Sequence, residues 1–109
     1  MTRLASALPP GSVIGILGGG QLGRMLALAA AKLGLKCHIY APEMDSPAFQ
    51  VAHAHTVASY TDIDALEVFA RSVDVVTYEF ENVPVEAARH IARIVPVRPG
   101  AKALEVAQD

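Results

Sequence analysis

The chain has 109 residues, one cysteine and a formal net charge of −2, with 52% apolar and 18% charged residues. That length suits one domain, and that apolar content can bury a core, so the chain is not a disordered one. The slight negative charge excludes a binder of phosphate backbones, the lone Cys37 excludes an internal disulfide and disfavours structural zinc, and no apolar run reaches the ~18 residues of a membrane span.

Residues 1–11 hold one arginine and no long apolar stretch, so they read as a loose leader closed by Pro9-Pro10-Gly11 rather than a secretory signal. Residues 12–109 read as one domain, with a cytoplasmic location as the default. Val13-Ile14-Gly15-Ile16-Leu17 is apolar on both faces, which suits a central parallel strand. Gly18-Gly19-Gly20 breaks it. A helix is expected over 21–33, with Leu22, Met25, Leu26, Ala29, Ala30 and Leu33 on one face and Gly34 at C′. Residues 36–40 form a second strand, ended by Ala41-Pro42, which completes a βαβ unit.

Ser46 and Pro47 fit the N-cap and N1 positions of a short helical turn over 48–52. A third strand is expected over 55–59. Thr61-Asp62-Ile63-Asp64 resembles a capping arrangement for a helix to Arg71, with Ile63, Leu66, Phe69 and Ala70 inward. The β-branched Val75-Val76 centres a strand over 73–80. Pro84 opens a helix over 85–94 with Val85, Ala88, Ile91 and Ala92 inward. A last strand is expected over 95–97, and Pro99-Gly100 turns into a closing helix from Ala101. This alternation predicts an α/β fold, a parallel sheet with helices on both faces. The closing helix meets no stop signal before Asp109, so the chain is expected to be the N-terminal part of a longer protein.

Two groups of unusual residues fall at the carboxyl ends of strands, where open parallel sheets bind ligands. The first is the glycine turn: Gly18, Gly20 and Gly23 meet the G-x-G-x-x-G template, and the helix N-terminus behind it offers N–H groups and partial positive charge to an anion. The second is Tyr78-Glu79-Phe80-Glu81-Asn82 after the fourth strand. Glu79 and Glu81 alternate, so on a strand they point to one side. A dinucleotide site needs an acid at the end of the second strand, but that strand ends Tyr40-Ala41-Pro42 and Glu43 comes only after the proline. No Gly-Lys-Ser/Thr follows the turn, so it is not a Walker loop. An NAD(P)-binding Rossmann domain and a non-catalytic ligand-binding module both stay open on the residues alone. Arg24 either reaches a phosphate or lies solvated. His53 and His55 lack a cysteine or acidic partner for a metal and read as structural, Cys37 as packed and unreactive, and His90 as a solvent-facing helix residue.

Gly18-Gly19-Gly20-Gln21-Leu22-Gly23-Arg24-Met25, Asp45-Ser46-Pro47-Ala48, Ala52-His53 and Tyr78-Glu79-Phe80-Glu81-Asn82-Val83 occur in an order and spacing that resembles the amino-terminal domain of the 5-(carboxyamino)imidazole ribonucleotide synthase family of ATP-grasp enzymes. The likeness covers nearly all of residues 12–109. It implies a Rossmann-like pre-ATP-grasp domain of a ligase in de novo purine biosynthesis, which joins bicarbonate to 5-aminoimidazole ribonucleotide with cleavage of ATP. It further implies that Gln21, Leu22 and Glu79 line part of the ribonucleotide pocket, and Gly20, Tyr78 and Glu81, from the same two groups of residues, are expected beside them. ATP and Mg2+ then belong to portions this chain lacks, so the 109 residues hold no catalytic, cofactor-binding or metal-binding residue and are inactive alone. The resemblance implies a homodimer at full length, while the charge and the short apolar runs lead to an expectation of no nucleic-acid or membrane partner.

Overall fold

Four apolar runs become the strands of one sheet, and each adjacent pair runs parallel. The computed structural model describes residue 9 and residues 11–78 and 83–98. Its strands are β1 (Val13–Leu17), β2 (Lys36–Ala41), β3 (Ala54–Val57) and β4 (Val75–Tyr78), in the order β3-β2-β1-β4. The helices are α1 (Gln21–Lys32), α2 (Ile63–Arg71) and α3 (Val85–Ala92), with a 3-10 turn over Pro47–Val51. The expected α/β architecture is present, with β3 ending at Val57 and β4 starting at Val75, two residues later than its sequence run.

Alternation along the strands divides the core into two layers. Ile14, Ile16, Cys37, Ile39 and Val75 pack with Ala27 and Ala30 of α1. Leu17, Tyr40 and Val76 pack with Leu66, Phe69 and Ala70 of α2 and Ala87 and Ile91 of α3. Gly15 lets the second layer close, because a Cβ there would lie 2.7 Å from the Phe69 ring.

The helix faces depart from the periodic reading. In α1 the buried residues are Gly23, Ala27 and Ala30, while Leu22, Met25 and Leu33 are exposed, Met25 by 65%. This helix is apolar around most of its circumference, so periodicity could not choose a face. The branched side chains of Ile14, Ile16 and Ile39 fill the sheet beneath it, and only the small-residue side fits close against them. In α3 Ala87 and Ile91 are buried, whereas Val85 is 63% exposed and Ala92 is exposed. Val83, Ala87, Ile91 and Val95 are all buried at a spacing of four, so the inward stripe starts before the helix does. In α2 Leu66, Phe69 and Ala70 are inward as expected, but Ile63 is exposed.

Local signals hold better. Gly34 has φ +78, and Leu35 N–H donates to the Ala30 carbonyl (3.0 Å) while Gly34 N–H donates to that of Ala31 (3.1 Å), a Schellman closure of α1. Asp62 caps α2 by accepting from Ala65 N–H at 3.1 Å. Ser46 holds the N-cap position of the 3-10 turn without capping it; its hydroxyl donates to the Glu43 carbonyl at 2.8 Å. The strand expected over 95–97 reduces to one bridge, Val76 to Val97, in which Val76 N–H donates to the Pro96 carbonyl (2.9 Å) and Arg98 N–H donates to the Val76 carbonyl (2.8 Å). Residues 1–8 and 10 of the leader, the segment Glu79 to Asn82, and residues 99–109 with the expected closing helix lie outside the described residues.

Candidate functional site

The chain leaves β1 for β2 on one side and, after β3, crosses to β4 on the other. The gap between β1 and β4 is therefore the topological switch point, outside whose carboxyl ends ligands seat in open parallel sheets. Leu17 and Tyr78 face each other there. The two groups picked from the sequence thus begin on neighbouring strand ends.

The glycine turn is clamped rather than loose. Gly18 sits at φ +119, a conformation side-chain-bearing residues rarely adopt, and its N–H donates to the Tyr40 carbonyl at 2.9 Å. The Gly19 carbonyl accepts from Ala48 N–H at 2.9 Å. A Cβ on Gly19 would lie 2.4 Å from Ser46 Cβ and 3.0 Å from Ala41 Cβ. Both contacts tie the turn to the end of β2 and to the 3-10 turn. Gly20 is the N-cap of α1, and the first intrahelical bond runs from Arg24 N–H to its carbonyl at 3.0 Å. Gly20 has no side chain with which to cap this end, and no acidic residue occupies the helix's first turn. The positive end of the α1 dipole is therefore not neutralised by the helix's own side chains. Gln21 and Leu22 are exposed on this first turn.

The second group is only partly in view. Tyr78 is half-buried, and its ring packs against the α2–α3 layer. It lines a cavity of about 290 Å³ with Val83, Val85 and Ala88, on the side of the sheet away from α1. The strand ends meet, but this ring turns to the far layer. Glu79 and Glu81 lie outside the described residues.

Other candidates resolve into structural roles. The Arg24 guanidinium donates to Gln50 Oε1 at 2.9 Å and pins α1 to the 3-10 turn, so it is not simply solvated. His55 stacks on Phe49 with centroids 4.4 Å apart, and His38 Nε2 lies 2.7 Å from Thr56 Oγ1. Burial, then the nearby His55 and His53, hold His38 below the usual imidazole pKa. Among the described residues no group of three His, Cys, Asp or Glu side chains is placed to hold a metal. Burial pushes the Cys37 thiol up to about 11, which suppresses its thiolate. Tyr40 is raised to about 12 by burial and then by Asp62, and its hydroxyl donates to the Ser59 carbonyl at 2.6 Å. His90 is not free in solvent as expected, for its Nε2 pairs with Glu67 at 3.0 Å across α2 and α3.

Two residues went unremarked in the sequence. Asp74 exchanges bonds with Val13 at the start of β4, its carboxylate accepting from Val13 N–H (2.8 Å) and its own N–H donating to the Val13 carbonyl (2.8 Å). Thr77 is buried one position before Tyr78, and its only sequence signal is a hydroxyl inside an apolar strand.

Residues 12–108 match the family described as the ribonucleotide synthetase preATP-grasp domain. The N5-carboxyaminoimidazole ribonucleotide synthase of Brucella melitensis is 54% identical over 104 residues, which are 95% of this chain and 29% of that protein. The crystal structure of the synthetase from Thermus thermophilus is 56% identical with a TM-score of 0.74, over 88% of this chain and 26% of that one. The structure of the synthase from Aspergillus clavatus in complex with ADP and 5-aminoimidazole ribonucleotide is 34% identical with a TM-score of 0.71, over 88% and 26%. The chain thus spans less than a third of the length of these relatives.

Proposed function

Because the chain belongs to the ribonucleotide synthetase pre-ATP-grasp family, we propose that it is the amino-terminal domain of an ATP-dependent ligase of purine biosynthesis that carboxylates 5-aminoimidazole ribonucleotide with bicarbonate. Its own contribution is one wall of the ribonucleotide pocket. The observation that carries this is the glycine-rich N-terminus of α1, with no acid in its first turn, at the switch point between β1 and β4. The Aspergillus relative bound to 5-aminoimidazole ribonucleotide supports the choice of ligand.

On this reading the main-chain N–H groups at Gly20, Gln21 and Leu22 receive an anionic or hydroxyl oxygen of the ribonucleotide. Glu79 and Glu81 form the facing wall, where a carboxylate accepts hydrogen bonds from ribose hydroxyls or the reacting amine, and Tyr78 leads the chain to them while its ring packs on the other layer. The domain binds and orients. ATP with Mg2+ supplies the driving force, and both are held by portions of the enzyme beyond these residues. The full-length protein works as a cytoplasmic homodimer. The NAD(P) alternative gains no support, since β2 ends at the buried Tyr40 and Ala41 and the nearest acid, Glu43, is exposed beyond Pro42.

The test is Glu79→Gln in the full-length protein, with ribonucleotide and ATP affinities measured separately. The ribonucleotide constant is expected to weaken more than the ATP constant; the opposite ranking refutes the assigned role. The isolated 109 residues are expected to show no ATP hydrolysis dependent on 5-aminoimidazole ribonucleotide, and robust turnover by them would refute the division of labour.

A further inference from the structure

The 3-10 turn Pro47–Val51 lies outside the two groups of site residues, yet it holds the glycine turn at two points. Ala48, fully buried in the α1-side layer, donates its N–H to the Gly19 carbonyl at 2.9 Å. Two residues on, Gln50 Oε1 accepts from the Arg24 guanidinium at 2.9 Å. Arg24 is the fourth residue of α1. Side chains on a helix lean toward its N-terminus, so this guanidinium lies back over the turn that begins at Gly20. Its acceptor is a neutral amide. Among the described residues no carboxylate forms an ion pair with Arg24, and the first turn of α1 holds no acid. Glu43 and Asp45, the acids nearest to the 3-10 turn in the chain, are exposed on the loop before it. One full positive charge thus stands beside the glycine turn, fixed in direction but not cancelled.

We propose that Gln50 is a positioning residue of the ribonucleotide site: it holds the Arg24 guanidinium against the 3-10 turn as an uncompensated charge, whose field draws the ligand's phosphate to the glycine turn. This rests on the ribonucleotide reading of that turn and adds to it a residue from outside both groups. The neutral acceptor is what matters. A carboxylate at position 50 would hold the same guanidinium as firmly but cancel its field. The bond is exposed, so the effect is modest and sensitive to salt.

Gln50→Glu separates the charge from the clamp. In the full-length protein, titrated calorimetrically with 5-aminoimidazole ribonucleotide at low salt, it is expected to bind about three- to tenfold more weakly than wild type. Its ligand-free Tm is expected to equal or exceed that of wild type, because the bond becomes an ion pair. The loss is expected to shrink at about 0.5 M salt, where charges are screened within a few ångströms. Arg24→Gln is expected to lose a similar factor, and Arg24→Lys, which keeps the charge, a smaller one. A purely structural clamp predicts the reverse, with Gln50→Glu binding as wild type. Unchanged ribonucleotide affinity in Gln50→Glu overturns the inference, as does a lowered Tm or a loss that high salt leaves in full. Failure of the wild-type protein itself to bind the ribonucleotide refutes the pocket reading instead, so the two failures are told apart.

Discussion

On one side of the sheet, α2 and α3 bury Leu66, Phe69 and Ile91, while on the other α1 buries Gly23, Ala27 and Ala30 and leaves Met25 65% exposed. The α2–α3 layer is a conventional core in which large side chains interlock. Phe69 meets Tyr40 at 5.3 Å between centroids, and His38 sets its ring edge-on to Phe69 at 5.2 Å. The α1 layer works by close approach, with the helix near enough to the sheet that alanine fills the gap. The difference bears on function. Close approach lets the turn before α1 fit against Ala41, Ser46 and Ala48, which sets the direction of the helix N-terminus at the switch point. One layer supplies most of the bulk of the core, and the other aims the candidate site.

The contrast can be broken most severely at Phe69. Phe69→Ala is expected to cost roughly 3–5 kcal/mol by urea denaturation, because it empties the centre of the interlocked layer. A cost below about 1 kcal/mol would mean that this layer is not the main core. Ala27→Leu probes the other side. Enlarging a residue that is 2% exposed against the sheet should destabilise by about 1–3 kcal/mol, although the change adds apolar surface. A stabilised variant would show spare room beneath α1.

A smaller effect follows from His38. Its pKa is lowered in the folded state, so the folded protein resists the proton that the unfolded chain accepts. Its contribution is present above the unfolded value of about 6.5 and is lost as pH falls from there. The urea midpoint should therefore drop between pH 7.5 and 5.5, and the drop should shrink in His38→Gln; an equal drop in both proteins would remove His38 as its source. The smallest effect is expected at Met25. Met25→Gln should shift stability by no more than about 0.5 kcal/mol, since the side chain packs on little within this chain.

Sequence alone determined the order and type of the elements from β1 to α3, the parallel sheet, the closure of α1 at Gly34, the capping of α2 by Asp62 and the glycine turn as a candidate anion seat. Each of these depends on residues close in the chain, whose geometry and hydrogen bonding are local matters. The likeness to the synthase family was likewise legible in short motifs. What stayed hidden was direction. Which side of α1 and α3 turns inward depends on what the sheet beneath has already filled, and no periodicity within an almost uniformly apolar helix records that. The pairing of His90 with Glu67 joins residues on two helices, and the Arg24–Gln50 bond joins α1 to the 3-10 turn. Thr77 was invisible for the same reason. A threonine in a strand is ordinary until tertiary packing removes its water and leaves it at the β1–β4 switch point, and only the fold decides that.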